Sequence, residues 1–453
     1  MRYESILDAI GRTPLVRLQR MGKGLNARFY AKLEFSNPGG SIKDRIATFM
    51  IDAAEADGKL KPGGTIVEAT AGNTGVGLAL VAAVRGYRCI FVMPDKMSSD
   101  KISLLKAFGA EVVITPTNVS PDSPESYNNV ADRLAREIPG AFRPNQFANT
   151  QNPDAHYKTT GPEIWEETSG EIDVLVGGVG TGGTISGIGK YLKEKKPSVK
   201  VVVADPEGSI ISGIGEKGFK SWLVEGVGED FIPATYNRQV VDETIRISDR
   251  ESFITGRRLA REEGILAGGS SGMIMAAAMK YAERLRGNPM IVVLIPDTGR
   301  NYLTKMYNDA WMQEKGFIET PMKRIPISDI LKQKKNGKII SLKRDTSMME
   351  AIQLMHQYNF SQLPIIDGNE VIGSIKEASI MKMLHDGIDL TNQHVTSMMA
   401  GPFPVLDCST NADEVYRLLM SGRDAIIVSE KGILKGIVTR IDLVDYWLKE
   451  KRG

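Results

Sequence analysis

The sequence is poor in cysteine and histidine. Cys89 and Cys408 are the only cysteines in 453 residues, and no C-x-x-C pair occurs. That excludes a disulfide scaffold and argues against a cysteine-based zinc or redox site. Cys89 lies in the apolar run 89–93 and reads as an inert core thiol in a reducing compartment. The histidines are His156, His356, His385 and His394, so the first three hundred residues hold one. One histidine cannot build a multi-histidine metal cage. No metal site is expected, and acid–base work falls mostly on other groups. No apolar run approaches the ~18–20 residues of a membrane span, and the start Met1-Arg2-Tyr3-Glu4-Ser5 lacks the apolar stretch of a secretory signal. A cytoplasmic protein without a membrane partner is expected. The formal net charge of +2 gives no electrostatic reason to expect nucleic acid.

What is present is an ordinary globular composition, 42% hydrophobic and 25% charged, in a chain long enough for two or three domains. Apolar, β-branched runs at 65–68, 89–93, 111–115, 172–176, 199–204 and 291–295 alternate with helix-like stretches such as 77–86, 101–108 and 185–193. Strands without period-two alternation, spaced by helices, imply parallel-rich sheets covered on both faces. The fold class expected for residues 1–316 is α/β, with ligands at the carboxyl ends of the strands. In the 101–108 helix, Ile102, Leu104, Leu105 and Phe108 are the apolar positions. Residues 317–335, with Pro321 and Pro326, read as a linker. Residues 336–453 read as a degenerate α+β repeat, with copies at about 336–390 and 391–453. Each copy runs strand, helix, strand, turn, strand, helix, the first opening on a strand at 338–341.

Three glycine-rich turns carry the chemistry. In Asn37-Pro38-Gly39-Gly40-Ser41-Ile42-Lys43, Ser41 is placed to cap a helix whose apolar face is Ile46, Phe49, Met50 and Ala53. Lys43 falls in its first turn, where the helix dipole disfavours a cation and favours a neutral, nucleophilic amine. An ordinary surface lysine is the alternative. The turn Thr70-Ala71-Gly72-Asn73-Thr74-Gly75 follows a strand and opens a helix. Its amides and hydroxyls suit a carboxylate, or the turn serves backbone geometry alone. The third, 177–184, offers amides without intervening side chains and two threonine hydroxyls, a phosphate cradle. Gly178, Gly180 and Gly183 also satisfy G-x-G-x-x-G, with Asp205 about twenty residues on, so spacing alone leaves a dinucleotide open. The segments 225–228 and 296–301 read as loops, the former able to close over a substrate. His156 lacks a spaced partner and reads as packed or capping.

In this order, segments 37–45, 70–75, 92–99, 180–184, 205–209, 225–233 and 297–306 resemble the fold-type II pyridoxal-phosphate enzymes over nearly the whole chain. The resemblance assigns the phosphate loop to pyridoxal 5′-phosphate. It implies that Lys43 carries the cofactor and moves the α-proton. Gly180, Thr181, Gly182, Gly183 and Thr184 are then the phosphate loop, with Asn73 at the pyridoxal 3′-oxygen and Thr298 at the pyridine nitrogen. A neutral hydroxyl there suits β-elimination better than transamination. Thr70, Ala71, Gly72, Asn73 and Thr74, with Gln146 and Gly226, would contact the substrate.

The implied activity is β-replacement, condensing serine with homocysteine to cystathionine, with hydrogen sulfide from cysteine as a further product. Rivals on the same scaffold are a cysteine synthase using O-acetylserine and sulfide, and a serine or threonine dehydratase. From another class, the chain would be an adenosyl-ligand sensor with a vestigial catalytic domain. The C-terminal repeat resembles a pair of CBS domains. Thr439 and Asp442 match the ribose-contacting pattern of such modules, and the equivalent stretch 373–379 departs from it. One cleft, with Phe360 and Gln362, is therefore expected to take S-adenosylmethionine or another adenosyl ligand; the alternative is a pair that only stabilises an oligomer. A homodimer or higher homo-oligomer is expected. Animal relatives carry haem-ligating Cys and His in an N-terminal extension. Neither residue type precedes Cys89 here, so no haem is expected.

Overall fold

Runs of valine and isoleucine with no polar alternation form the central strands. Met290–Ile295 is buried at every position, and Val174–Gly178 at all but its last, as a sheet covered on both faces requires. The computed structural model describes residues 2–450 apart from 71, 96, 98, 121, 214–220, 320–324 and 335–338. The chain divides into two units, Met1–Glu319 and Thr320–Gly453. The division falls just beyond 316 because Phe317 packs on Phe253 and Trp311, closing the first unit's core.

The first unit holds two sheets. The larger runs, in order, Leu15–Arg17, Arg28–Leu33, Met290–Ile295, Val174–Gly178, Lys200–Pro206 and Glu243–Ile247; only the first pair is antiparallel. The smaller runs Glu111–Thr115, Arg88–Pro94, Thr65–Ala69 and Ala141–Phe142, all parallel. Helix Asn73–Arg85 is rich in small residues and stops at Gly86, which takes the left-handed conformation (φ 75°) that glycine adopts without strain. A Cβ at Gly77 would stand 3.0 Å from the Lys43 carbonyl oxygen. This close crossing seats the Lys43–Ala56 helix against the smaller sheet.

Ser41 caps the start of Lys43–Ala56 as expected, its hydroxyl accepting from the Lys43 amide at 3.2 Å, with Ile42 directly before the helix. Two local expectations shift. The buried stripe of that helix is Ile46, Ala47, Met50, Ile51 and Ala54, while Phe49 and Ala53 lie at its edge. The helix read at 101–108 spans Ser99–Ala107 and buries only Leu105; Leu104 is exposed.

In the second unit the two copies repeat one topology. Gln362–Asp367 pairs antiparallel with Glu370–Lys376, and Ala425–Glu430 with Ile433–Thr439, each hairpin carrying one register shift. In the second copy Val405–Asp407 adds a parallel strand. The strand expected at 338–341 reduces to a single parallel bridge, Leu342 to Ile365, and Lys338 lies outside the described residues. Each copy is completed by the segment that precedes the other. Ile327 and Ile330 sit in the core of the second copy with Val415 and Val438, and Val395 sits in the core of the first. A glycine admits each visitor: a Cβ at Gly436 would stand 2.7 Å from Leu331, and one at Gly373 would stand 2.6 Å from Met399.

Candidate active site

The loops that follow strands Thr65–Ala69, Arg88–Pro94, Val174–Gly178 and Met290–Ile295 open into one cavity of about 650 Å3. Lys43 enters it as the first residue of its helix, its Nζ 3.3 Å from the Thr181 hydroxyl. Burial draws its pKa from 10.5 down to about 8, against the opposing pull of the Glu229 carboxylate. A neutral amine is thereby accessible near physiological pH, and burial is the leading cause.

Behind Lys43, the loop 180–184 opens helix Gly183–Lys195. Its N-cap Gly182 has φ 85° and no side-chain cap, so the first-turn amides are left for a ligand. Other residues fix the loop's shape. Asn152 donates to Thr181 Oγ1 (2.9 Å), and the Thr235 hydroxyl donates to the Thr181 carbonyl (2.5 Å). His156 joins Thr160 through Nδ1 (2.9 Å) and Thr184 through Nε2 (3.1 Å). Burial, with Arg45 and Lys43 adding, holds the imidazole pKa well below its usual range. His156 is thus a neutral, packed residue that orients Thr184. Side chains would close the approach: a Cβ at Gly180 would stand 2.6 Å from the Gly226 carbonyl, and one at Gly183 would stand 2.0 Å from Asn152 Oδ1.

On the facing wall, helix Asn73–Arg85 also begins without a side-chain cap, at Gly72. Thr70, Gly72, Asn73, Thr74 and Gln146 line the cavity together, and the Thr74 hydroxyl donates to Gln146 at 2.6 Å. Ala71 lies outside the described residues. Asn73 donates to Asp297 (2.9 Å), as does the Tyr302 hydroxyl (2.7 Å), and burial raises the Asp297 pKa to about 6. Gly226, in left-handed conformation, lies on the rim.

Of the residues singled out from sequence, Gly180, Thr181, Gly182 and Thr184 line the cavity with Lys43, while Gly183 starts the helix behind them. Thr298 is not brought to it. Its hydroxyl accepts from the Arg300 amide at 3.3 Å, and its methyl would touch a Cβ placed on Gly40. Ser270, at the head of helix Gly269–Ala282, lines the cavity instead. Its setting, Gly268-Gly269-Ser270-Ser271-Gly272, was a readable signal, a fourth small-residue turn at a helix start. Glu229 had no such signal. It lines the cavity, and its carboxyl makes no hydrogen bond or ion pair among the described residues. Burial, with Asp230 adding and Lys43 opposing, raises its pKa to about 8. No group of three metal-ligating side chains occurs among the described residues.

In the second unit, Thr439 ends a strand and donates from both amide and hydroxyl to Asp442 Oδ2, at 2.7 and 2.8 Å; Lys334 pairs with the same oxygen at 2.8 Å. Phe360 is exposed and stacks on Tyr358, and Gln362 opens the first copy's hairpin. Among the described residues, no hydrogen bond or ring contact joins Phe360 or Gln362 to Thr439 and Asp442.

These residues fit a phosphorylated aldehyde. A buried amine with a lowered pKa stands beside an uncapped helix start whose glycines leave it open, and Thr181 touches both. Comparisons with known proteins agree. Residues 6–297 match the family of pyridoxal-phosphate dependent enzymes, and residues 327–386 and 395–449 each match the CBS domain. The chain is 39% identical to the cystathionine beta-synthase of Dictyostelium discoideum over 99% of its length and 93% of the relative's. It is 41% identical to that of Apis mellifera, over 98% and 90%. Among solved structures, an O-ureido-L-serine synthase is similar at TM-score 0.65 and 40% identity, covering 69% of this chain and all of that one. A hydrogen sulfide-producing enzyme of Fusobacterium nucleatum is similar at 0.63 and 37%, covering 68% and 99%. No described helix is long and apolar enough to cross a membrane. With an amine and a phosphate cradle in one cavity, and a CBS pair following in sequence, the chain belongs to the cystathionine β-synthase family of pyridoxal-phosphate-dependent enzymes.

Proposed function

We propose that the enzyme exchanges the β-hydroxyl of serine for the thiol of homocysteine, releasing cystathionine and water. The observation that carries this reading is one cavity in which Lys43 stands between two uncapped helix starts, at Gly182 and Gly72. One start suits a phosphate and the other an amino-acid carboxylate. The likeness to cystathionine beta-synthases supports the substrate pair. Lys43, the loop 180–184, Asn73 and Ser270 are the residues that would hold pyridoxal phosphate. When bound, the cofactor supplies an electron sink for charge developing at the α-carbon.

The chain's own groups do the rest. The head of helix Asn73–Arg85, with Thr70 and Gln146, binds and orients the serine carboxylate. Lys43 Nζ takes the α-proton, which its lowered pKa permits near neutral pH. Glu229 keeps its carboxyl protonated at pH 7, and that proton passes to the departing hydroxyl. The resulting carboxylate takes the proton of the incoming thiol. The C–O bond breaks, the C–S bond forms, Lys43 Nζ returns its proton to the α-carbon, and both Lys43 and Glu229 end as they began. The turn 225–228 covers the reacting groups. With cysteine as donor, the same residues would release sulfide, and the likeness to a sulfide-producing enzyme favours this second reaction. In the CBS pair, Thr439 and Asp442 offer a hydroxyl and a carboxylate to the ribose of an adenosyl ligand such as S-adenosylmethionine.

The test is product analysis of the purified, cofactor-loaded enzyme with serine and homocysteine, against O-acetylserine with sulfide and serine alone. Cystathionine as the dominant product, lost in Lys43→Ala, is expected. Faster cysteine synthesis, or thiol-independent release of a keto acid, would replace this reading with that of a cysteine synthase or a dehydratase. A response of the rate to S-adenosylmethionine, lost in Asp442→Ala, checks the regulatory part.

A further inference from the structure

Besides Lys43, Lys101 and Lys305 are the only cations among the described residues lining the cavity. Both ammonium groups meet on one carboxylate. Lys101 contacts Glu225 Oε2, and Lys305 Nζ lies 2.6 Å from Glu225 Oε1. The three arrive from separate places. Lys101 stands in the first turn of helix Ser99–Ala107, on the side of the smaller sheet. Glu225 begins the glycine turn 225–228, and Lys305 follows the 3-10 turn Gly299–Tyr302. Two cations share this one anion, with Asp297 on the same cavity near enough for its charge to act on Lys101 and Glu225. The lysine side chains are 24% and 45% exposed, so a ligand in the cavity can reach them. The carboxylate that joins them is borne by a turn in which Gly226 and Gly228 have φ 79° and 78°, and a Cβ at 226 would meet nothing within 4 Å. The flanking Val224 and Val227 are buried, so the turn is held and the freedom lies in the Glu225 side chain, which is 30% exposed.

A β-replacement between two amino acids brings two α-carboxylates into one cavity. The first has the uncapped helix start at Gly72. The second needs a separate anchor, and Glu225 already shows that a carboxylate fits between these two ammonium groups. We propose that Lys101 and Lys305 form the carboxylate subsite for the thiol-bearing amino acid, with Glu225 holding them in place until the substrate carboxylate displaces it. The exchange keeps both ammonium groups paired, and the Glu225 side chain, 30% exposed, turns its carboxylate to solvent. The subsite selects amino acids carrying a thiol over the same thiols without a carboxylate. This inference rests on the β-replacement reading above.

The experiment compares kcat/KM for homocysteine and for its decarboxylated counterpart 3-mercaptopropylamine, with serine as donor. The variants are Lys101→Met, Lys305→Met and Lys101→Arg. The intact enzyme is expected to prefer the carboxylated thiol roughly ten-fold or more, the scale of one charge-assisted hydrogen bond. That preference falls toward one in either methionine variant and returns in part with arginine. An intact enzyme that takes both thiols equally, or methionine variants that lose both alike, would overturn the proposal, because a purely structural ion pair behaves so. The same comparison with cysteine and cysteamine separates the two readings. An enzyme that makes no cystathionine but still prefers cysteine over cysteamine through Lys101 loses the homocysteine assignment and keeps the subsite.

Discussion

At the scale of residues, Lys43 and Glu229 influence each other across the cavity. Burial lowers the pKa of one and raises that of the other, and each opposes the other's shift. Only the neutral amine attacks an aldehyde, so pyridoxal phosphate should associate faster with the apoenzyme as pH rises through about 8. Because the Glu229 carboxylate raises the pKa of Lys43, Glu229→Gln should move that inflection to lower pH. Stopped-flow absorbance checks it, and an unmoved inflection would count against the coupling. Asp44 is a second buried carboxyl. Burial raises its pKa to about 7, against the Gly39 amide that donates to it at 2.5 Å. Its contribution to stability is present below the unfolded value near 4 and is lost as pH rises through about 7. Asp44→Asn keeps an acceptor for Gly39 and removes that loss. The variant should therefore gain on the wild type between pH 5 and 8, by on the order of 2 kcal/mol in urea melts. Lys43, Asn73 and the phosphate loop were legible because each lies in a motif local in the chain. Ser270 was missed and Thr298 taken in its place, because both are hydroxyls in small-residue turns. Which one faces the cavity depends on the hydrogen bond that turns Thr298 toward Arg300.

At the scale of elements, the close approaches explain why glycines stand where they do. In Gly183→Ala the new methyl would meet Asn152 at 2.0 Å, and Asn152 is the residue that orients Thr181. The expected outcome is a cofactor Kd raised about ten-fold or more, with the melting temperature lowered by a few degrees. Gly401→Ala, where a Cβ meets nothing within 4 Å, serves as the control. Fluorescence titration with pyridoxal phosphate measures the first effect and calorimetry the second. The three central strands of the larger sheet, Met290–Ile295, Val174–Gly178 and Lys200–Pro206, could be read from sequence to within two residues, because burial on both faces leaves an unbroken apolar run. Leu15–Arg17, Arg28–Leu33 and Glu243–Ile247 were missed, being partly exposed and interrupted by charged or polar residues. The extent of the strand at 338–341 could not be read. Its residues favour β structure, but pairing there depends on a neighbour and stops at Leu342. The buried stripe of Lys43–Ala56 was also displaced by a residue, since two neighbours, Asn73–Arg85 and Gln151–Ala155, press on that helix.

At the scale of the molecule, each unit has its own cores. The large clusters around Val293, Phe91 and Val203 are built from residues before 319, and those around Ile365, Val415 and Ile427 from residues after 325. A chain ending at Glu319 should therefore fold, bind pyridoxal phosphate and form cystathionine, while losing any response to an adenosyl ligand. Turnover of the shortened and full chains, with and without S-adenosylmethionine, measures this. A shortened chain that is insoluble or cannot bind the cofactor would show that the catalytic unit depends on the rest. The change of character near 316 was legible in composition and proline content. The exchange of segments between the two CBS copies was not, because periodicity reports which face of a helix is apolar and not which partner covers it.

That exchange bears on how the protein is born. Ile327 belongs to the core of the second copy, yet Val415, its partner there, is made about ninety residues later. At roughly 5–20 residues per second, the Ile327–Lys332 helix leaves the ribosome ~5–20 s before its partner exists. Through that interval its apolar face is uncovered, a natural landing place for a chaperone. A ribosome that stalls within the second copy strands a finished catalytic unit on an unfinished tail.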